Sequence, residues 1–468
     1  MMFTTKSILS WLLLLAPFFV RGQVEGRYDA IYSGVPWVDA QGKTVSARGA
    51  CIIKEEDTYF LFGEYKTDSA NVFNGFSCYS SKDLANWRFE SMALSVQATG
   101  KLGPNRVGER PKVMRSPTTG EYIMYMHVDS LNYKDQFVGY ATASKITGPY
   151  QFQGPLLFNG QPIRKWDMGS FQDDDGRGYI LIHGGEIYQL ATDYKHVEKK
   201  LNETMVSGFE SPTMLKKDGL YYFLGSHLTS WERNDNYYYT SRALTGPWEK
   251  QGLFAPEGSL TWNSQCTFVL PIQGTKSTTW MYMGDRWSFP KQNSAATYVW
   301  QPLSFAGDKL RLPTFYGAWQ LDLKTGVYRV STPGDESIDL RTAKQVTRKG
   351  NWKQDSLQTI SSDQPGDQLT LSFHGRAVAL YGLSRPTGGY AKVTVKNKNG
   401  QHMLTSILDM YALVPHASIK FTSPQWKADT YTITITVMGE RGNWSDKRKN
   451  NYGSKGYDVV LQKLLVTK

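Results

Sequence analysis

A unit of two apolar segments joined by a polar turn recurs five times along the first two thirds of the chain. Each copy opens on a polar residue, runs through an apolar stretch typical of a β-strand, turns, and returns through a second apolar stretch. The clearest copy spans residues 210–225, where Asp218-Gly219 separates the two stretches as in a β-hairpin. The opening residues stand 43 to 61 positions apart and are Arg48, Glu109, Asp167, Glu210 and Gln265.

This spacing predicts a five-bladed β-propeller, because a four-stranded blade needs roughly 40 to 50 residues and loops account for the longer steps. The first strand of each blade lines the central channel, so we expect the five opening side chains to converge at one point. The alternative is a set of unrelated surface hairpins, which would not repeat a polar residue in register. Two blade ends, Gly148-Pro149-Tyr150 and Gly246-Pro247-Trp248, also repeat a turn followed by an aromatic residue that fills the gap between blades.

Strict alternation of apolar and polar residues begins after a predicted linker at Thr332-Pro333-Gly334-Asp335. The segments 369–373, 391–395 and 431–437 alternate with period two, which is typical of a β-sandwich. We therefore predict an all-β chain in which a five-bladed β-propeller, residues 23–330, precedes a jelly-roll-like β-sandwich, residues 331–468. Two interpretations of the sandwich, a carbohydrate-binding module and a structural appendage, stay open. Its candidate sugar-stacking aromatics are Trp352, Tyr390, Tyr411, Trp426 and Trp444.

The first 22 residues have the pattern of a signal peptide. Lys6 precedes an apolar run over residues 8–20, and the small residues Val20 and Gly22 suit a cleavage site. The run is too short to span a bilayer. We expect a secreted or periplasmic protein that is monomeric and has no membrane span.

We expect no cofactor, no metal site and no nucleic-acid partner. Cys51, Cys78 and Cys266 have no zinc-like spacing, and we predict buried free thiols in preference to a Cys51–Cys78 disulfide. Asp173-Asp174-Asp175-Gly176 predicts a plain turn, with a structural calcium ion as the alternative. The net charge of +11 is concentrated in the C-terminal third, and the simplest interpretation is a solvent-exposed basic face. An anionic polysaccharide is the alternative partner for that face.

Three carboxylates and one amide would meet in the predicted channel. Converging carboxylates repel one another, so the pKa of at least one should rise. A carboxylic acid that keeps its proton can protonate a glycosidic oxygen. Hydrolysis with inversion also needs a base on the opposite face of the sugar, roughly 6.5–9.5 Å from the acid.

The motifs at these positions resemble glycoside hydrolase family 43 over about residues 28–325. Glu-Ser-Pro-Thr at 210–213 and Asp-Met-Gly-Ser-Phe at 167–171 carry the family resemblance. Gly-Glu-Arg-Pro-Lys-Val at 108–113 and Asn-Ser-Gln at 263–265 are most similar to its exo-β-1,3-galactanase subfamily.

The resemblance implies a role for each matching residue. Glu210 matches the general acid, and Asp167 matches the acid that orients substrate and raises the pKa of the general acid. Glu109 matches an essential carboxylate around the galactose, and Gln265 matches the position that holds the water. Further galactose contacts are implied for Glu64, Tyr133 and Thr229. Most family members carry a first-blade Asp as general base, whereas this chain has Arg48-Gly49-Ala50-Cys51 there, as the galactanase subfamily does.

These implications predict an exo-acting, inverting glycoside hydrolase that releases galactose from β-1,3-galactan, the arabinogalactan backbone. An α-L-arabinofuranosidase or β-xylosidase of the same fold is one alternative, and a non-catalytic glycan-binding propeller is another. The role of Gln265 stays open between base, through an imidic-acid tautomer, and a group that only positions water. Asp285-Arg286-Trp287 either reaches the channel mouth or pairs internally. His127, His183 and His227 each end a predicted second strand and are expected to be structural.

Overall fold

The computed structural model describes residues 26–355, 358–446 and 448–468, and these are almost entirely β-structure, as predicted. The predicted signal peptide, residues 1–22, lies outside the described residues. The single helical element in the described part is a four-residue turn, Leu260–Asn263, with positive φ throughout. Across the same residues, no helix is both long and apolar enough to cross a membrane.

Five antiparallel sheets form the blades of a propeller, as the repeat predicts. Blade 1 contains Arg48–Glu55, Thr58–Glu64, Phe76–Ser81 and Arg88–Leu94, and blade 2 contains Arg106–Arg115, Tyr122–Ser130, Phe137–Ala143 and Gln151–Pro155. Blade 3 contains Met168–Gln172, Gly178–Ile182, Glu186–Leu190 and Val197–Lys200, and blade 4 contains Glu210–Lys217, Leu220–Ser226, Tyr237–Ser241 and Glu249–Leu253. Blade 5 contains Gln265–Gln273, Thr278–Arg286 and Thr297–Pro302. The first strand of each blade contacts that of the next, and blade 5 contacts blade 1, so the ring is closed.

A short sheet at the outer edge of blade 5 joins the two ends of the ring. It consists of Ile31–Tyr32, Ala318–Asp322 and Val327–Val330, with Ile31 opposite Trp319. Trp319 Nε1 donates to the carbonyl of Trp300 in blade 5 at 2.9 Å. The start of the described chain therefore meets a strand nearly 300 residues later. Two smaller hairpins decorate the ring: Leu157–Phe158 with Gln161–Pro162, and Ser304–Ala306 with Lys309–Arg311.

Apolar side chains fill the spaces between blades. The second strand of blade 2, Tyr122–Ser130, is buried along almost its whole length, as expected of a strand covered on both faces. Tyr150 reaches back to blade 1, where its backbone N–H donates to Ala93 at 2.7 Å and its ring lies 6.1 Å from that of Phe62. Its predicted gap-filling position is thereby confirmed. The cysteines Cys51, Cys78 and Cys266 are buried and unpaired, also as predicted.

A β-bulge follows the opening residue in four of the five blades. The openers pair with residues at or near the ends of the neighbouring second strands: Arg48 with Glu64, Glu109 with His127, Glu210 with Ser226 and Gln265 with Asp285. The register shifts directly after the opener in blades 1, 2 and 4, and one residue later, after Cys266, in blade 5. In blade 3, the carbonyl of Asp167 accepts from the N–H of His183 at 3.2 Å. Bulges bend a strand and re-aim its side chains, and they are common beside active sites.

The C-terminal region is a sandwich of two antiparallel sheets. One contains Glu336–Asp339, Lys353–Gln354, Ile360–Ser362, Val459–Thr467, Ala377–Ser384 and His416–Thr422. The other contains Val346–Lys349, Gln368–Gly375, Asp429–Val437, Tyr390–Asn397 and His402–Asp409, and a small hairpin pairs Asn443–Ser445 with Asn451–Gly453. Asp429–Val437 buries every second residue, which explains the sequence alternation.

The sandwich packs directly on the propeller. One continuous apolar core includes Trp300 and Trp319 on the propeller side and Ile433 within the sandwich. Three of the five candidate sugar-stacking aromatics are buried and cannot stack on a ligand in this arrangement: Tyr390, Tyr411 and Trp426. Trp352 and Trp444 are half-buried.

Candidate active site

The side chains that open blades 2 to 5 meet around the guanidinium of Arg110. Its Nε lies 3.0 Å from Asp167 Oδ1, and its Nη2 donates to Gln265 Oε1 at 2.8 Å. Gln265 Nε2 lies 3.4 Å from Glu210 Oε2. Carboxylate oxygens of Glu109 and Asp167 lie within 4.8 Å of each other. The structure thus brings together all four residues predicted to be catalytic.

Arg48 is the exception, and the expectation that all five openers face the channel is wrong for it. Its guanidinium donates to the carbonyls of Val45 and Ala296 and lies 4.1 Å from the centre of the Tyr298 ring. A buried arginine needs several acceptors, and this gap between blades 1 and 5 supplies them together with an aromatic face.

Glu64 places a carboxylate beside the first strand of blade 1, although that strand carries no acid at its start. Gly49 has a φ of +62°, and a Cβ at this position would lie only 2.4 Å from Glu64 Oε1. The same oxygen accepts from the backbone N–H of Arg110 at 2.9 Å, and Oε2 pairs with Lys66 Nζ at 2.5 Å. Burial raises the pKa of Glu64, and the Lys66 ammonium opposes that rise. Glycine at position 49 is therefore required by both its conformation and its neighbour.

Glu210 and Asp167 are neighbouring carboxyl groups in different environments. Burial, and then the charge of Asp167, raise the pKa of Glu210 well above its ordinary 4.5, while Arg110 acts in the opposite direction. Asp167 has much stronger partners, since it pairs with Arg110 and its Oδ2 accepts from the backbone N–H of Ser211 at 3.0 Å. The protonated form of Glu210 is favoured as a result, which suits a carboxyl group that must donate a proton.

Glu109 lies in a dense hydrogen-bond network on blade 2. Its Oε1 accepts from Asn71 Nδ2 and from the Tyr133 hydroxyl, each at 2.8 Å, and its Oε2 lies 3.1 Å from His127 Nδ1. His127 Nε2 faces Asp129 Oδ2 at 3.3 Å. Burial opposes ionisation of Glu109, but these partners, His127 foremost, hold its pKa below the ordinary value.

The same network accounts for the one cluster with metal-like spacing in the described part of the chain, Glu109, His127 and Asp167. Both ring nitrogens of His127 face carboxylates, and the oxygens of Glu109 are already engaged. The donor set therefore fits a hydrogen-bonded imidazolium better than a metal ligand. His127 is structural, as the sequence predicts.

A pH-dependent contribution to stability is expected from His127. Burial opposes its charged form, yet the hydrogen bonds to Asp129 and Glu109 raise its pKa to about 9. A raised histidine pKa stabilises the fold fully below about 6.5, and that contribution is lost as pH rises through 9. Between these values, the free energy of unfolding should fall by up to about 1.4 kcal/mol per pH unit because of this group. Urea unfolding of the wild type and of His127→Asn from pH 6 to 10 measures the slope.

The matched control is His196→Asn. His196 also faces one carboxylate, Asp193 at 2.7 Å, but its side chain is 75% exposed. This variant should keep the wild-type slope, whereas His127→Asn should flatten it. Equal slopes in all three proteins would show that His127 is not charged in the folded state.

The amide of Gln265 is fixed by four neighbours. Its Oε1 accepts from Arg110 Nη2 at 2.8 Å and from Trp287 Nε1 at 2.9 Å, while its Nε2 donates to Ser226 Oγ at 2.9 Å and faces Glu210 at 3.4 Å. Two groups that can only donate define which end of the amide is oxygen. An imidic-acid tautomer would place a hydroxyl proton against these donors. The geometry therefore favours a positioning role over a basic one.

Lys66, Asn71 and Trp231 belong to this site but were not singled out as contacts by the sequence, whereas Trp287 was one of the alternatives that it left open. Lys66 Nζ donates to Asn71 Oδ1 at 2.5 Å and lies 5.6 Å from the Trp231 ring. The rings of Trp231 and Trp287 are 5.1 Å apart. Of the two interpretations of Asp285-Arg286-Trp287, Trp287 supports the one that reaches the site. The other three lie on loops, where no periodicity reveals direction.

Thr229 is held within its own loop. Its hydroxyl donates to the carbonyl of Glu232 at 2.8 Å and accepts from Asn234 Nδ2 at 2.7 Å. These partners belong to the loop between the second and third strands of blade 4, not to the cluster around Arg110. Its implied galactose contact stays a prediction.

The Asp173 segment has the geometry of a turn. The N–H of Gly176 donates to the carbonyl of Asp173 at 2.9 Å. The carboxylate of Asp173 accepts from Lys216 Nζ at 2.6 Å and from the Tyr221 hydroxyl at 2.5 Å. These contacts favour the plain turn over the calcium loop.

Comparisons with known proteins give one family model and several related glycoside hydrolases. The model of glycosyl hydrolases family 43 matches residues 45–257. A β-D-galactofuranosidase of Aspergillus niger is 30% identical over 208 residues, which are 40% of this chain and 59% of that protein. A crystal structure of an exo-β-1,3-galactanase from Phanerochaete chrysosporium with galactose shares 28% identity with a TM-score of 0.69, over 93% of this chain and 100% of the other. A candidate exo-β-1,3-galactanase from Bifidobacterium bifidum shares 38% identity with a TM-score of 0.56, over 60% of this chain and 95% of the other.

Proposed function

Residues 45–257 belong to glycosyl hydrolases family 43, and on that premise we propose that this glycoside hydrolase releases galactose from the non-reducing end of β-1,3-galactan with inversion. The exo-β-1,3-galactanase of Phanerochaete chrysosporium, similar over nearly the whole chain, supports this substrate. The N-terminal apolar run supports action in the periplasm or outside the cell.

The observation that carries the proposal is the absence of an acid at the channel end of the first strand of blade 1, Arg48-Gly49-Ala50-Cys51. An arabinofuranosidase or xylosidase of this family would require a carboxylate there. Gly49 stands beside Glu64, whose Oε1 lies 2.4 Å from where a Cβ of residue 49 would be. The position is closed to an added acid, and this departure is the one that the galactanase subfamily shares.

Glu210 is the proposed general acid. It is half-buried at the channel, and burial together with the charge of Asp167 keeps its pKa well above the ordinary value. It therefore carries a proton at pH values where an exposed glutamate is ionised, and it can pass that proton to the departing glycosidic oxygen. Asp167, which pairs with Arg110 at 3.0 Å, is the neighbour whose charge contributes to this rise.

Gln265 is the proposed positioning group for the attacking water. Its Oε1 is fully used by Arg110 and Trp287, and one Nε2 proton goes to Ser226. The second N–H of Nε2 has a long 3.4 Å contact with Glu210. It can therefore donate a hydrogen bond to a water or a sugar hydroxyl. An amide held in this way orients a ligand without accepting its proton.

Product analysis on β-1,3-galactan tests the proposal. We expect free galactose as the sole early product, with no intermediate oligosaccharides, because the enzyme acts from chain ends. Proton NMR in the first minutes should show the α-anomer, since inversion of a β-linkage gives α-galactose. Early β-galactose, or a ladder of oligosaccharides, would contradict the proposed mechanism or the mode of attack.

Three aryl glycosides, run in parallel, separate the alternatives: β-D-galactofuranoside, α-L-arabinofuranoside and β-D-xyloside. Faster turnover of the galactofuranoside than of galactan would favour the activity named for the Aspergillus niger relative. Release of a pentose would favour the arabinofuranosidase or xylosidase interpretation. Tight binding of galactan with no release of sugar would favour a glycan-binding propeller.

A further inference from the structure

A corner of the C-terminal sandwich, formed by Tyr390, Asp409 and Tyr411, makes buried polar contacts with the propeller. The Tyr411 hydroxyl donates to Glu232 Oε2 at 2.5 Å. Asp409 Oδ2 accepts from Ser288 Oγ at 2.8 Å, and the Tyr390 hydroxyl donates to the Ser288 carbonyl at 3.2 Å. The hydroxyls of two sandwich tyrosines thus donate to acceptors on the propeller. We call these three residues the sandwich corner.

The propeller loops that receive the corner are the same loops that wall the candidate active site. Glu232 belongs to the loop after the second strand of blade 4, and Ser288 to the corresponding loop of blade 5. Trp231 precedes Glu232, and Trp287 precedes Ser288. The two indole rings pack at 5.1 Å. Each corner contact is therefore one residue away from an aromatic residue of the site.

A series of hydrogen bonds, joined through the side chains of Arg233 and Trp287, leads from the corner to Gln265. Glu232 Oε1 accepts from the backbone N–H of Arg233 at 3.1 Å, and Arg233 Nη2 donates to the Trp287 carbonyl at 2.6 Å. Trp287 Nε1 then donates to Gln265 Oε1 at 2.9 Å. The side chains of Asp409 and Arg233 approach to 4.0 Å.

Because the residues of this series are buried, its geometry depends on the contacts that the sandwich supplies. Glu232 and Arg233 are 6% and 3% exposed, and buried charges of this kind must be paired. Two of their partners, Tyr411 and Asp409, come from the sandwich. If those partners are removed, the loop must rearrange so that its charges reach water or other donors. The Trp287 carbonyl and indole move with it.

We propose that the sandwich corner is a positioning element of the active site, which acts through Glu232, Arg233 and Trp287 to hold the amide of Gln265. The proposal deepens the proposed function and rests on it, because it assigns the second domain a part in the same reaction. The sandwich would be required for turnover even on a substrate too small to reach it. Tyr411 and Asp409 are positioning residues, since they contact neither substrate nor reacting atoms.

Tyr411→Phe and Asp409→Asn in the full chain test the proposal by kinetics. Both changes nearly keep the shape of the side chain: Tyr411→Phe removes the hydroxyl that contacts Glu232, and Asp409→Asn removes the negative charge that faces Arg233. We expect kcat on β-1,3-galactan to fall about tenfold or more while KM changes by less than about twofold, because misplaced groups slow the chemical step. Tyr431→Phe is the matched control: Tyr431 is a buried sandwich tyrosine whose hydroxyl donates to Lys427 within its own domain, at 2.7 Å. Its kcat should equal that of the wild type.

A double-mutant cycle with Trp287→Phe distinguishes positioning from general destabilisation. Trp287→Phe removes the indole donor to Gln265 and should lower kcat. If the corner acts through that donor, adding Tyr411→Phe should cause no further loss. Additive losses, or an equal loss of kcat in Tyr431→Phe, would overturn the proposal.

A spectroscopic measurement keeps the proposal testable apart from the proposed function. With ¹⁵N-labelled tryptophan, the Trp287 indole resonance is assigned by its absence in Trp287→Phe. It should shift in Tyr411→Phe and Asp409→Asn and stay in place in Tyr431→Phe, and an unmoved resonance in all three would reject the proposal. If the wild type does not hydrolyse galactan, the proposed function fails, and this measurement still decides whether the corner positions Trp287.

Discussion

Glu210→Gln should abolish most activity on β-1,3-galactan and leave binding of galactan intact. General acid catalysis contributes typically 10²–10⁴-fold, so we expect kcat to fall about 10³-fold. The amide keeps the size of the carboxyl group but has no acidic proton for the glycosidic oxygen. Because Glu210 carries its proton within the channel, the replacement introduces no new buried charge, and thermal stability should not fall. Steady-state kinetics and isothermal titration with galacto-oligosaccharides measure both quantities.

The leaving group provides the decisive comparison for this variant. The dinitrophenolate of 2,4-dinitrophenyl β-galactoside is a leaving group that needs no protonation. Relative to the wild type, Glu210→Gln should therefore retain far more activity on this galactoside than on galactan. The control is Glu203→Gln, because Glu203 is 87% exposed and pairs with Lys200 on the surface. An equal loss on both substrates, or unchanged activity on galactan, would remove Glu210 as the acid.

The pH dependence of the wild type should agree with this assignment. The acid works only while protonated, so activity should fall as pH rises through the pKa of Glu210. Burial and the charge of Asp167 raise that pKa well above 4.5, so the alkaline limb of kcat/KM, which reports on the free enzyme, should lie well above the range of an ordinary glutamate.

Arg110→Met should be the most destabilising single change in the site. The guanidinium pairs with buried Asp167 at 3.0 Å and donates to Gln265 at 2.8 Å. Removing one partner of a buried ion pair leaves an uncompensated charge, at a cost of about 3–5 kcal/mol. Methionine retains the apolar stem, so the loss reports on the charge. Urea unfolding at pH 7 measures the change in free energy of unfolding.

Arg115→Met is the matched control on the same strand. Arg115 is 52% exposed and lies 3.4 Å from Glu55, and an exposed pair of this kind contributes about 0–1 kcal/mol. Comparable losses for the two variants would show that the buried pair at Arg110 is not a principal source of stability.

The sequence predicts the ring and much of the site because both depend on repetition. A polar residue that begins each repeat in the same register should point its side chain toward the same axis in every blade. The sequence predicts on this basis that Glu109, Asp167, Glu210 and Gln265 meet. The prediction is wrong for Arg48 because its long side chain turns away from the channel and donates to carbonyls between blades 1 and 5. Repetition fixes where a strand starts but not the direction that a flexible cation takes.

Loops lie beyond this kind of inference. Asn71 and Trp231 reach the site from segments without periodicity, and the contacts of Asn71 with Glu109 and Tyr133 span 38 and 62 positions. The sandwich aromatics show the same limit, because alternation tells which residues are buried within a sheet and not which are covered by another domain. Tyr411 is buried against the propeller residue Glu232, which no pattern inside the sandwich could reveal.

The strand that joins the ends of the ring has a consequence for synthesis of the protein on the ribosome. Ile31–Tyr32 emerges early, whereas its partner Ala318–Asp322 follows almost 300 residues later. At roughly 5–20 residues per second, the early strand waits on the order of tens of seconds with an unpaired edge. During that interval the nascent chain presents an incomplete arc of blades, which is the stage at which a chaperone would be most useful to it.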